Sequence, residues 1–358
     1  MTELFAGVAP VFRVDGEVVG DLARDVSSLE IEEATDGMKT LRLRLQAEGP
    51  KPNAQEEAQL YLDGQVIDLG KTLEVSIGAS AEERFVFKGG ISALEAAYRS
   101  GAVPQVLVYA EDRLMALRMT RRSRTYENQS DADIASALAS EHGLTPEVAA
   151  DGPSYDVVQQ WNQSDLAFLR ARGRLVQAEV WLTGDTLHFA TRGNRTAAAI
   201  TLIMGDELLE VHIRADLAHQ RTAVRVSGYD ARSRDTIDEE AGGDVIQAEV
   251  SGGRTGPQVL ERAFGARVSH VVRGAPLVAA EARAWARAEL VRRARAFVTV
   301  TGTTNGTPDM VVGSALTLER VGDPFNGGGY YVTRVCHCYD LKDGFRTHFD
   351  AERATVSG

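Results

Sequence analysis

Cysteine is scarce in this chain: there are two, both in Cys336-His337-Cys338. Residues two apart on a strand share a face, so both sulfurs would point one way and the imidazole the other. Strand neighbours of this kind are poorly placed to bridge each other. No second CxxC or HxxxH pair completes a zinc site. Cys336 and Cys338 therefore read as small apolar side chains on a strand, and neither a metal site nor a cofactor is expected. Positive charge is also short, with 39 Lys and Arg against 51 Asp and Glu and a net charge of −12. That balance argues against non-specific nucleic-acid binding, which depends on neutralising phosphates.

Long apolar runs are missing as well. The most apolar segment, AAAITLIM at 197–204, falls far below the roughly 20 residues of a membrane helix. The opening MTELFAGVAPVF has no positive leader, so no signal peptide is expected. The expectation is a chain made in the cytoplasm, without direct membrane insertion, that leaves only as part of an assembly. No GxSxG, GxxxxGK[ST], HExxH, EF-hand loop or strand-linked GxGxxG occurs. The seven histidines are scattered, and Asp238-Glu239-Glu240 sits in a Gly-rich stretch that reads as solvated. No catalytic residue is expected.

What is present is β grammar at both ends of a helical middle. In 1–112, LEIEEA, TLRLRLQA, KTLEVSIGA, RFVFKGGI and PQVLVYA alternate or form short apolar runs. Asp63-Gly64 and Lys88-Gly89-Gly90 read as turns between them, and the pattern suggests a barrel or sandwich, taken here as a first β-barrel domain. Residues 113–198 read as a small α+β insert of two capped helices and a hairpin. Ser130 caps a helix whose Ile134, Ala135, Leu138 and Ala139 share a face, and Gly143 closes it. Asn128-Gln129-Ser130-Asp131 then recurs as Asn162-Gln163-Ser164-Asp165. Asn162 or Ser164 can cap the second helix, and Asp165 is favourable in its first turn. AEVWLTGDTLHF follows as a hairpin turning at Thr183-Gly184-Asp185.

Residues 199–358 read as a second β-barrel domain. A loop region spans 231–275, and an Arg-rich helix spans 278–297 with Ala279, Ala282, Ala286, Leu290, Ala294 and Phe297 on one seam. Its arginines read as a solvated or interface face, since Glu281 and Glu289 interrupt them and no aromatic run accompanies them. Gly70-Lys-Thr-Leu73-Glu-Val75-Ser-Ile77-Gly78 is echoed by Gly313-Ser-Ala-Leu316-Thr-Leu318-Glu-Arg-Val321-Gly322. Each is followed by an aromatic-rich strand. The fold class expected is mainly β with an α+β insert: two related antiparallel β-barrel domains flanking a small helix-and-hairpin domain.

Four blocks carry a family resemblance: FKGGISALE at 87–95, VVQQWNQSDLAFLRARGRLVQAEVWLTGDTLHF at 157–189, VSGYDARSRDTI at 226–237 and VGDPFNGGGYYVTRVCHCYDLKDGFRTHF at 321–349. In order and content they resemble the phage late control protein D family. That family includes the baseplate hub of contractile phage tails and the N-terminal part of VgrG proteins of type VI secretion. The resemblance implies a non-enzymatic structural hub, a homotrimer that joins a sixfold tail tube, or its initiator, to a threefold spike, with baseplate wedge proteins as further partners. The sequence stops at Gly358, with no OB-fold or β-helix repeat after the second barrel, so the spike is expected to be a separate chain. Two alternatives are a type VI, VgrG-like hub and a tail-associated cell-wall hydrolase.

Overall fold

Strict alternation makes the strands. Thr40–Gln46 buries Leu41, Leu43 and Leu45 and carries Arg42 and Arg44 on its other face. The computed structural model describes residues 9–50, 57–78, 83–272 and 278–357. Residues 1–8, which open the stretch read above for a leader, lie outside them. The chain is mainly β, with six helices among the described residues: α1 (Gly20–Asp25), α2 (Leu114–Met119), α3 (Asp131–Glu141), α4 (Asp165–Val176), α5 (Gly256–Phe264) and α6 (Ala279–Arg295).

The strands of the two ends form one continuous sheet of 13 strands. Its first half runs, in spatial order, Val26–Ala34, Thr40–Gln46, Gln105–Glu111, Arg84–Ala97, Thr72–Ile77, Pro10–Val14. Its second half runs Leu208–Ala215, Val298–Thr304, Gly344–Arg353, Gly327–Asp340, Ala315–Glu319, Ala199–Ile203. The order of chain segments is the same in both halves; the last strand differs in sense, pairing antiparallel in the first half and parallel in the second, and the short strand Glu17–Val18 extends the first half. Each half curls around its own apolar core, and among the described strands no ladder joins the ends of either half. The barrel character therefore comes from curvature and side-chain packing.

The irregularities match too. The register slips between Ile91 and Ala93 in one half and between Val332 and Arg334 in the other. At the slip, Ser92 Oγ donates to the Tyr109 carbonyl (3.4 Å) and Thr333 Oγ1 to the Asp350 carbonyl (3.2 Å). The Gly70 N–H reaches Ile91 O (2.8 Å), as the Gly313 N–H reaches Val332 O (2.9 Å). A second matching slip lies between Val26 and Ser28 and between Leu208 and Glu210. A bulge is a specific feature of a strand, so the halves align residue by residue: Ile91 with Val332, and Ser28 with Glu210.

The halves join through a backbone ladder in which Arg334–Asp340 pairs antiparallel with Ser28–Ala34. Phe345, from the second half, packs into the first core. Two readings change here. Lys88-Gly89-Gly90 is no turn and lies inside the 14-residue strand Arg84–Ala97. A Cβ at Gly89 would stand 2.2 Å from the Glu111 carbonyl oxygen, so the glycine admits a close strand crossing. Residues 231–275, read as loops, contain the strand Asp235–Gly242, α5 and the strand Val268–Val272. The two strands flank Ala223–Asp230 in a three-stranded sheet. Asp235–Gly242 is an edge strand burying only Ile237 and Ala241, which leaves its sequence mostly polar. Helix α5 starts at a Thr255 cap with Gln258 closing the box, inside the stretch read as a loop region.

Helix α6 packs Ala282, Ala286 and Leu290 on that sheet against Val224, Val226 and Ile237; Ala279, placed on the seam from sequence, is exposed. Its arginines are largely taken up by carboxylates: Arg283 with Glu239 (3.0 Å), Arg295 with Glu249 (2.7 Å), and Arg292 and Arg293 with Glu289 (2.8 and 2.7 Å).

Candidate functional site at the lobe junction

The insert answers why one opener is used twice. Arg121–Ser130 and Ser154–Ser164 pair as an antiparallel ribbon, and each strand feeds its own helix, α3 and α4. Each ends with asparagine in the left-handed region, Asn128 at φ 53° and Asn162 at φ 43°, where asparagine is better tolerated than most side chains. Ser130 accepts the Asp133 N–H (3.2 Å) and Asp133 returns a bond from the Ser130 N–H (2.9 Å). Ser164 accepts the Ala167 N–H (3.2 Å). Asn162 does not cap. It lies outside the helix, its N–H donates to Ser123 Oγ (3.2 Å) and its side chain accepts from Arg121 Nε (3.3 Å).

The aspartates that begin the helices are buried, Asp131 at 2% and Asp165 at 0% exposure, and each is held by the other unit. Asp131 accepts from Tyr155 Oη (2.9 Å) on the second strand and from Arg172 of α4, whose guanidinium lies 4.3 Å over the Tyr155 ring. Burial, then the Asp131 charge, pushes the Tyr155 phenol up. Asp165 accepts from Arg122 Nε (2.9 Å) on the first strand and from Gln160 Nε2 (2.9 Å), and it contacts His142 Nε2 (2.8 Å) at the end of α3. A buried carboxylate requires such partners. No serine, threonine or cysteine hydrogen-bonds the His142 ring among the described residues. The arrangement clamps α3 to α4.

A second network joins all three lobes. Glu179, in the strand Ala178–Thr183, accepts from Arg192 Nε (2.8 Å), Arg195 (3.2 Å) and the Tyr331 hydroxyl (2.8 Å). Arg195 reaches Glu33 of the first half (2.6 Å), which Lys39 also meets (3.1 Å). Arg192 bonds Glu352 of the second half and lies 4.3 Å over the Tyr331 ring, while Arg195 lies 4.6 Å over Trp181. Burial pulls the Arg192 pKa down, but Glu352 and Glu179 outweigh it and the group is held cationic. Gly313, at φ +95°, leaves room for Arg195, whose Cδ would stand 2.8 Å from any Cβ there. Three carboxylates face three cations in this junction, each surrounded by partners. Beside it opens a cleft of about 1250 Å³ lined by Arg192, Arg287, Arg295, Tyr331, Glu352 and Arg353, among others.

The joining ladder carries the two cysteines. Cys336 and Cys338 are unbridged with sulfurs 3.3 Å apart on one face. His337 faces the other way and is buried, with Nδ1 3.1 Å from Thr347 Oγ1. Burial, with Lys39 nearby, lowers its pKa to about 3, so the imidazole is neutral. No group of three or more metal-ligating side chains forms among the described residues, and no helix there is long and apolar enough to cross a membrane.

Sequence reasoning found the caps and missed the partners. One signal was available: Asp131 lies on the same helical face as Ile134, Ala135 and Leu138, and an acid on a buried face needs a cation or donor. Nothing in the sequence marks Arg192, Arg195 or Glu33, because their encounter spans lobes.

Comparison with known proteins places this geometry. No curated protein matches the chain. Among solved structures, the chain is similar to a 43 kDa tail protein of prophage MuSo2 from Shewanella oneidensis (TM-score 0.71, 15% identity, 97% of this chain and 99% of that one). It is also similar to a tail protein from Neisseria meningitidis MC58 (TM-score 0.67, 15% identity, 97% of each). An E. coli component of the type VI secretion system matches at TM-score 0.56 and 12% identity over 91% of this chain and 73% of that one. The resemblance to baseplate hub and VgrG proteins is thus shown at the level of the fold. The model of the Alg8 N-terminal domain matches residues 8–340. The chain belongs to the Alg8 N-terminal domain family, on a fold it shares with phage tail proteins and a type VI secretion component.

Proposed function

We propose that this protein is the structural hub of a baseplate in a contractile phage tail or phage-like injection particle, joining a sixfold tail tube to a threefold spike. The observation that carries this reading is the duplication within one chain, two half-sheets with one strand order and matching bulges. Three copies present six near-equivalent half-sheets to a sixfold ring and three inserts to a threefold partner. The ionic junction and the shared ladder make each copy a stiff unit, as a part under contraction force requires. The role is mechanical, and the hub itself catalyses nothing; the buried Asp165 is held by His142, Arg122 and Gln160, which tie the two helices together. Its partners are two further copies, the tube or tube-initiator protein, a spike and wedge proteins.

The test is coexpression with neighbouring tail genes followed by electron microscopy and mass measurement. A three-copy ring carrying a tube on one side and a spike on the other is expected. A chain that stays monomeric with both partners would sink the reading. A lytic band in peptidoglycan zymography would overturn the absence of enzymatic activity.

A further inference from the structure

The ladder that joins the halves has an unfilled counterpart. Within the chain, the long strand Gly327–Asp340 leaves Ala315–Glu319 near Tyr331, and its freed edge is taken by Ser28–Ala34. The equivalent strand Arg84–Ala97 leaves Thr72–Ile77 at Gly90. Beyond it, no described strand pairs with that edge of Ser92–Ala97. The counterpart of Val26–Ala34 is Leu208–Ala215; among the described strands its one ladder is with Val298–Thr304, apart from a single bridge between Leu208 and Met204, and it ends the sheet. One edge of each kind is therefore open, at opposite ends of the duplicated plan. Where the ladder is made, only Glu30 is exposed; at the open edges most residues are, Tyr98 at 55% and Leu209 at 42% among them.

We infer that the edge at 92–99 of one copy pairs with the edge at 209–216 of the next, continuing the sheet from chain to chain. This self-pairing rests on the hub reading only for closure at three copies. The bulges fix the register by transfer from the observed seam. Arg334 opposite Ala34 becomes Ala93 opposite Asp216, and Asp340 opposite Ser28 becomes Arg99 opposite Glu210. The residues brought together are complementary on both faces. One face sets Leu94, Ala96 and Tyr98 against Ala215, Ile213 and Val211. The other sets Glu95 against Arg214 and Arg99 against Glu210, with Ala97 and His212 between. Apolar pairs on one face and opposite charges on the other are the contacts that stabilise adjacent antiparallel strands. A shift of one residue would destroy both patterns. Among the described residues Arg214 ion-pairs with Asp216, itself near the same edge, and Glu95 accepts from the Tyr109 hydroxyl (3.0 Å); these surface contacts are readily exchanged.

The contact is head-to-tail, so each junction uses residue 95 of one copy and residue 214 of the next. The experiment measures the mass of the purified full chain against concentration for wild type, Glu95→Arg, Arg214→Glu and the double variant. Wild type is expected to assemble as three copies. Each single reversal should raise the concentration for half-assembly by about tenfold, since like charges then face each other, and the double variant should restore it. A trimer indifferent to both reversals overturns the edge pairing and leaves the hub reading standing. Open-ended growth that the reversals suppress keeps the pairing and overturns the closed ring. A wild-type chain that is monomeric at every concentration overturns the pairing.

Discussion

The two halves of the large sheet share a strand plan and differ in what hangs on it. In the first half, Val26–Ala34 and Thr40–Gln46 are joined by a short turn; in the second, the equivalent strands Leu208–Ala215 and Val298–Thr304 are separated by a three-stranded sheet and helices α5 and α6. The ladder tolerates this because an insertion at a strand end disturbs no hydrogen bond between strands, and closing a longer loop adds little entropic cost. The halves differ also in state. The edge of Arg334–Asp340 is covered and its side chains are largely buried, while the matching edge of the first half is open. Covering an edge has let polar and reactive residues become interior: His337 and Cys336 are buried there, where the first half has Ala96 and Glu95.

The strongest way to break the union of the halves is Arg195→Ala. It removes the cation shared by Glu33 and Glu179 and leaves two largely enclosed carboxylates under-compensated. A loss of roughly 3–5 kcal/mol is expected, measured by chemical denaturation. A second, separate unfolding transition would show the halves uncoupled, and an unchanged midpoint would mean the ladder suffices.

A pH series separates the covered edge from the open one. The unfolded His337 takes a proton below its ordinary value of 6.5, whereas the folded group resists until about 3. Its contribution is thus present above pH 6.5 and lost as pH falls towards 3, by up to about 1.4 kcal/mol per pH unit. The stability gap between wild type and His337→Gln should narrow over that window. Ala96→Gln, at the matching position, should give a pH-independent difference; parallel curves for both pairs would remove the buried histidine from the account.

The smallest effects compare the twin helix starts. Ser130→Ala and Ser164→Ala should each cost about 1 kcal/mol. The Ser130 variant should lose more, because its cap is reciprocated by Asp133 and that of Ser164 is not. Equal losses would show that the reciprocal bond adds nothing.

Much of this fold was legible. Alternation gave the strands around Leu41, Val75 and Val300, and the paired Asn-Gln-Ser-Asp stretches marked two helix starts. The echo between Leu73 and Leu316 was faint, because many strands alternate; the bulges at Ser92 and Thr333 make it specific, and bulges leave no plain mark in sequence. Asp235–Gly242 stayed hidden for a related reason, as an edge strand with one sparsely apolar face reads like a solvated loop.

By itself the sequence determined the alternating strands of the large sheet and where α3 and α4 begin, since periodicity and capping act over a few neighbouring residues. The tertiary structure alone decided that Arg195 meets Glu33 (2.6 Å), that Asp165 is enclosed by Arg122 and His142, and that one long strand's edge is filled and its twin's left open. Those contacts join residues far apart in the chain. A charge becomes worth enclosing only once folding has brought its partner beside it and removed the water.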